Sequence, residues 1–505
     1  MFNIAGNNGR YGKLALSAVG LLALALSAPL TVQAATLVDA ARQGDRSAVL
    51  AMLEGRVDIN ATAADGTTAL HWAVYNDDAD LVERMLAAGA NVNISNAYGS
   101  TPMTEAAVNG NPRVLRALLE AGADVETANA EGQTTLMVVA RSGNVDAARV
   151  LIEHGANVNA LEQWRGQSAL IWAAAQSQPQ MMALLIANGA NVNARSRVND
   201  WERQVTAEPR FMWRPLGGFT ALIYAAREGC LDCVQQLIDA GADINQADGE
   251  NRTPLLIAIM NQHYDSAKLL IEAGANVNKW DLWGEQPLYA AVDLHTLPTG
   301  GYPDRPSTAD TSALDIIDML LARGANPNAQ LKLMLHHRHI TDDRGADPIL
   351  DINATPLLRA AAARDVPVVA RLLEHGALPD LPNLRDHTPL MAAAGLGITH
   401  VDIRSNPLAI DAQEQAIATI DLLLAAGADI NARNDRGFSP IHGAAFWGWN
   451  AVVRHLAVNG ADLSAHSDAG ETVLDVVKGK VTLGLGRGAA TATRPDTEAI
   501  LRELM

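Results

Sequence analysis

The sequence predicts an all-α chain: a curved α-solenoid of about twelve helix-turn-helix repeats with β-hairpin fingers between them. Three observations predict it. A word of glycine, alanine, Asn or Asp, Val or Ile, and Asn closes unit after unit, at 89–93, 155–159, 189–193, 241–245, 274–278 and 427–431. The last residues of successive words, Asn60, Asn93, Glu126 and Asn159, stand 33 apart, and a period of that size marks a stack of supersecondary units. Eight residues after most words comes a Thr or Ser, and twenty-one residues after that hydroxyl comes the next glycine.

Each unit reads in order. Thr101-Pro102, Thr253-Pro254, Thr355-Pro356, Thr388-Pro389 and Ser439-Pro440 start a first helix, the hydroxyl accepting an orphan N–H at the N-cap and Pro filling the position that needs none. Alanine pairs such as Ala106-Ala107 and Ala444-Ala445 let neighbouring helices approach. A second helix then ends where Gly122, Gly189 or Gly460 supplies a left-handed conformation, and the finger follows.

The two anchors at fixed offsets, recurring about a dozen times, make the chain resemble the ankyrin-repeat family. Units end near Asn60, Asn93, Glu126, Asn159, Asn193, Asn245, Asn278, Asn328, Asp380, Asn431 and Ser464, with a degenerate unit at 472–505. The resemblance covers almost everything after residue 35. It implies L-shaped repeats whose fingers and first helices line a concave surface, the usual site of partner binding. Glu126 and Asp380 replace the final Asn, so their fingers depart from the pattern.

The first 34 residues differ. Arg10 and Lys13 precede an apolar run at 14–26, and Val32-Gln33-Ala34 fits a cleavage site. The run falls short of the roughly 20 residues that span a bilayer, so a signal peptide at 1–34 and a mature solenoid at 35–505 are expected, exported to a periplasm or secreted. Net charge is −18, and loss of the two leader cations takes it to −20. That disfavours nucleic acid and anionic membranes as partners. A monomer binding another protein, without a cofactor, is the expectation.

Regularity breaks at insertions near 194–218, 294–312, 329–354, 395–413 and 478–495, all but the first lying well into the second half. Long loops in compact folds are usually functional, although surface loops also tolerate insertion at little cost. The first insertion brings Trp201, Phe211 and Trp213 among Arg203 and Arg214, residue types that dominate binding hot spots. With fingertip Tyr98, Trp164, Trp280 and Trp283, and with Trp447 after an alanine pair, these are the partner-binding candidates. The two enlarged fingers would roof Trp280 and Trp283. Trp72, Trp172 and Tyr224, just before alanines, read as core.

His336, His337 and His339 form a weak metal candidate, because adjacent histidines rarely converge and no Cys assists; a solvated loop is expected. Cys230 and Cys233, the only cysteines, are spaced to bridge at the start of a second helix, as a disulfide or as two idle thiols. Nucleophile elbow, His-Glu-x-x-His and phosphate-cradling motifs do not occur. No catalytic residue is assigned. The favoured function is a non-catalytic interaction module; the alternative is an enzyme or small-ligand binder with its site over Trp280 and Trp283.

Overall fold

A computed structural model describes residues 36–55, 57–205, 210–296, 308–333, 349, 352–398, 409–481, 483 and 492–505, without side chains for 200–214. The described residues form twenty-four helices in twelve pairs. First helices are α1 (Leu37–Arg42), α3 (Ala69–Tyr75), α5 (Pro102–Asn109), α7 (Thr135–Ser142), α9 (Ala169–Ala175), α11 (Ala221–Glu228), α13 (Pro254–Met260), α15 (Pro287–His295), α17 (Pro356–Ala363), α19 (Pro389–Ala393), α21 (Pro440–Trp447) and α23 (Val473–Val477). Second helices are α2 (Arg46–Leu53), α4 (Ala79–Ala87), α6 (Pro112–Glu120), α8 (Val145–Glu153), α10 (Pro179–Ala187), α12 (Leu231–Asp239), α14 (Tyr264–Glu272), α16 (Ala313–Ala322), α18 (Val366–Glu374), α20 (Ala412–Ala425), α22 (Asn450–Val458) and α24 (Pro495–Leu504). Each first helix packs on the first helices before and after it, and second helices stack the same way, which makes an all-α solenoid.

The caps follow the sequence. Thr101 Oγ1 accepts the Thr104 amide at 3.2 Å, and Pro102 opens α5. Small residues such as Ala106 and Ala107 are buried in α5, and Val114, Leu115 and Leu118 are buried in α6, so one continuous core runs between the two helix layers. Neighbouring helices of about 10 Å spacing need alanine on the crowded side.

The closing Asn of each word is a staple between repeats. Asn278 Nδ2 donates to the Gly324 carbonyl at 2.9 Å, and its Oδ1 accepts the Asn326 amide at 2.8 Å. Asn159 makes the same pair of bonds to Gly189 and Asn191. Where the word ends in an acid, only the accepting half survives: Glu126 takes the Asn157 amide at 2.7 Å and Asp380 takes the Asp429 amide at 3.0 Å. A carboxylate has no N–H to give, so these two fingers keep their place with half the usual bonding.

The fingers differ from the expected hairpins. Among the described residues only the insertion at 194–218 pairs as one, with β1 (Val198–Val205) antiparallel to β2 (Arg210–Gly217). Ordinary fingers are tight turns, at most with a single bridge such as Thr62 to Thr68, because eight residues leave no room for a ladder. They are instead joined sideways: Ala97 donates to the Asp65 carbonyl at 2.7 Å, Arg197 to Arg165 at 2.7 Å and Leu282 to Glu250 at 2.8 Å.

Gly274 ends α14 at φ +91°, and a Cβ built there meets nothing within 4 Å. Any cost of a side chain is therefore backbone strain alone. Gly274→Val should destabilise by more than ~1 kcal/mol, and Gly274→Asn by less, since Asn visits the left-handed region more readily. Urea midpoints of the two variants check this; equal shifts would remove the strain account.

Candidate functional site

Two positions on each first helix look out over the concave face: the fourth and the seventh residue after the N-cap. In the early repeats these are Trp72 and Tyr75, Glu105 and Val108, Val138 and Arg141, Trp172 and Ala175. Tyr75 is 61% exposed and Val108 71%. In later repeats the same slots hold Asp293, Arg359 and Ala362, Gly443 and Phe446, all buried. The concave face is open in the N-terminal half and covered in the C-terminal half.

The open half is a groove with two adjoining cavities. One of about 390 Å³ is lined by Tyr98, Glu105, Val108, Glu131 and Arg141; the next, of about 590 Å³, by Glu131, Arg141, Glu162, Trp164 and Trp172. Tyr98 and Trp164 stand at the fingertips, 75% and 70% exposed. Each finger is held by a side chain at its base. Asn96 Oδ1 accepts the Tyr98 and Ser100 amides at 3.0 Å, and the buried Glu162 carboxylate accepts from Trp164, Arg165 and Gln167. Arg141 lies over the Trp172 ring at 5.6 Å, while Trp72 and Tyr75 meet edge to face at 5.6 Å. Trp72 and Trp172 are half-buried, packed against the core on one side and open on the other, so the core reading holds for them only in part; Tyr224 is buried, with Arg227 at 4.6 Å over its ring.

In the covered half, inserted chain occupies the groove. A Cβ at Gly443 would lie 2.4 Å from the Leu396 nitrogen, so the segment after α19 runs where Trp72 projects in the second repeat. Leu396 and Ile398 are buried there, and Trp447 Nε1 donates to the Gly395 carbonyl at 2.9 Å. Trp447 is thus half-buried and tied inward, a correction to its place among the partner contacts. Beneath the cover, Arg359 Nε donates to Asp293 Oδ1 at 2.8 Å, an ion pair withdrawn from water.

The fingers at Trp280 and Trp283 also differ from expectation. Trp283 is fully buried: its carbonyl accepts the Lys332 amide at 2.8 Å, so the foot of the 329–354 insertion lies directly on it. Trp280 is half-exposed, with Lys332 Nζ 3.4 Å above its ring. A site over both indoles is therefore not open. Beside them Arg252 pairs with Asp248 at 2.8 Å and Glu250 at 2.7 Å, and burial pushes the neighbouring Asp281 carboxyl up to about 7. No group of three or more metal-ligating side chains occurs among the described residues.

Trp201, Arg203, Phe211, Trp213 and Arg214 lie on β1 and β2, their side chains outside the described residues, as are His336, His337 and His339 and the leader. Cys230 and Cys233 form a disulfide, their Cα atoms 5.2 Å apart. Sequence reasoning did not single out Val108, Glu131 and Arg141. The signal was present: the seventh slot after the N-cap, read across repeats, separates an open face from a covered one.

A family model described as ankyrin repeats (3 copies) matches residues 37–129, 125–196 and 222–331, more than half of the chain. The chain is also similar to the B-cell lymphoma 3 protein homolog of Mus musculus, 32% identical over 197 residues. That likeness takes in 37% of this chain and 43% of the relative, so the chain spans less than half of the relative's length.

Proposed function

The chain belongs to the ankyrin-repeat family, whose repeats are general protein–protein interaction modules, and from that premise we propose a non-catalytic module that binds another protein through the open half of its concave groove. The observation that carries this is the change in burial along one repeating position, from Tyr75 and Val108 to Asp293 and Ala362. The enlarged fingers and inserted turns of the later repeats act as cover and frame, with the hairpin β1–β2 standing at the end of the open groove. An exported compartment belongs to the same reading. The leader pattern at 1–34 and the Cys230–Cys233 disulfide support it, since disulfides persist where thiols are oxidised. Among the described residues no helix is long and apolar enough to cross a membrane.

The test places a photo-crosslinking p-benzoylphenylalanine at Val108, in the groove, or at Val458, equally apolar and exposed on a second helix. Illumination of the producing cells should give one discrete protein adduct from Val108 and none from Val458. Equal adducts from both positions, or none from either, would contradict a groove-centred module.

A further inference from the structure

The groove between Tyr98 and Trp164 has a chemistry of its own. Across the fingers and first helices that form it, at 57–76, 90–109, 123–142 and 156–175, the Lys or Arg residues are Arg141 and Arg165, the latter lining the second cavity, against Asp58, Asp65, Glu105, Asp124, Glu126, Glu131 and Glu162. Arg141 is already engaged with the Trp172 ring. Glu131 lies in the wall shared by both cavities and has no ion pair among the described residues. Glu105 accepts the neutral Ser100 hydroxyl at 2.6 Å. In the second cavity the buried Gln167 gives its Nε2 to Tyr224 at 3.0 Å and keeps its Oε1 without a protein partner.

Exposed aromatic faces beside carboxylates favour a cation. An arginine or lysine settles on a ring face through the ring quadrupole, and a carboxylate within reach completes its hydrogen bonds. The chain uses this pairing itself, with Arg141 on Trp172, Arg227 on Tyr224 and Lys332 on Trp280. Tyr98 and Trp164 are exposed fingertip rings with no such cation on them among the described residues, as is Tyr75 on its first helix, which meets Trp72 instead. The two fingertip rings stand two repeats apart, so about 20 Å of groove separates them, the reach of roughly six residues of extended chain.

We propose that this groove takes an extended, arginine- or lysine-bearing segment of the partner protein, with cations on Tyr98 and Trp164 and between them at Glu131. The proposal rests on the protein-binding reading of the groove and names the chemistry of what binds there. Cationic side chains about three residues apart match the repeat spacing of about 10 Å.

Three fluorescein-labelled peptides of twelve residues test it: four copies of Arg-Gly-Ser, the same peptide with citrulline for arginine, and the same with glutamate. The arginine peptide should bind the full chain, more weakly by about ten-fold between 50 and 300 mM salt as the charges are screened. The Tyr98→Ala, Trp164→Ala double variant leaves net charge unchanged and should lose at least ten-fold, Glu131→Gln several-fold, and Trp280→Ala nothing. Citrulline or glutamate peptides binding as tightly, or an arginine peptide indifferent to the groove variants, would overturn the proposal. If the Val108 crosslinker captures a partner that the arginine peptide does not displace, the cationic assignment fails while the groove remains the binding face; if Val108 captures nothing, both fail.

Discussion

Replacing Trp283 by Ala should destabilise the chain by about 3–5 kcal/mol, the cost of a large cavity in a packed interior. Its indole is fully buried, and the Lys332 and Leu333 amides both donate to its carbonyl. Trp280→Ala, three residues earlier, removes a half-exposed ring whose main contact is the Lys332 ammonium, and should cost less than ~1 kcal/mol. Urea midpoints of the two single variants separate the predictions. Similar small losses would mean that the enlarged finger does not lie on Trp283, and the cover over the later repeats would lose one of its supports.

Acid should weaken the last repeats first. His387 and His442 are buried, and burial holds both imidazoles down to about 4. His442 Nδ1 accepts from the Ser439 amide at 3.2 Å and hydroxyl at 3.0 Å, so a proton there would set donor against donor. His387 Nε2 accepts from Asn434 Nδ2 at 3.3 Å. Because the folded value lies below the unfolded value of about 6.5, the unfolded chain takes the proton first. The stabilisation is complete above pH 6.5 and is lost as pH falls toward 4, about 3 kcal/mol for each histidine. Stacked repeats unfold locally, so the loss should appear as early melting of the units around α19 and α21. Urea midpoints between pH 7 and 4.5 should fall steeply for the natural chain and less steeply for the His387→Gln, His442→Gln variant. Equal slopes would show that these histidines titrate freely.

The stack was legible because its signals are local and repeated: hydroxyl, Pro, alanine pair, Gly and Asn each act within one unit or on its immediate neighbour. Thr101, Gly274 and Asn278 do what their positions in the word require. Trp283 was misread because its slot is the one Tyr98 occupies at an open fingertip, and only the folded course of residues 331–333, some fifty positions later, decides that it is covered. Trp72 departs in the opposite sense and only in part, since it still packs against the core. Its helical slot is buried in the later repeats by inserted chain and stays half-open in the early ones, where no insertion arrives. The site followed the same division. The insertions were visible in the sequence as breaks of period, but a break does not say which residues it exposes and which it buries.

The open and covered halves can be compared directly at one repeating position. Val108→Cys and Ala362→Cys place a thiol at the same seventh slot of two first helices, 71% exposed in one repeat and 0% in the other. The natural cysteines are joined to each other, so each variant carries one new thiol. In native buffer the Val108→Cys thiol should react with a maleimide as fast as a free cysteine. The Ala362→Cys thiol should be slower by more than about a hundred-fold and should gain the same rate in urea, since a buried thiol reacts only through opening. Equal native rates at the two positions would contradict a groove that is open in its first half and covered in its second.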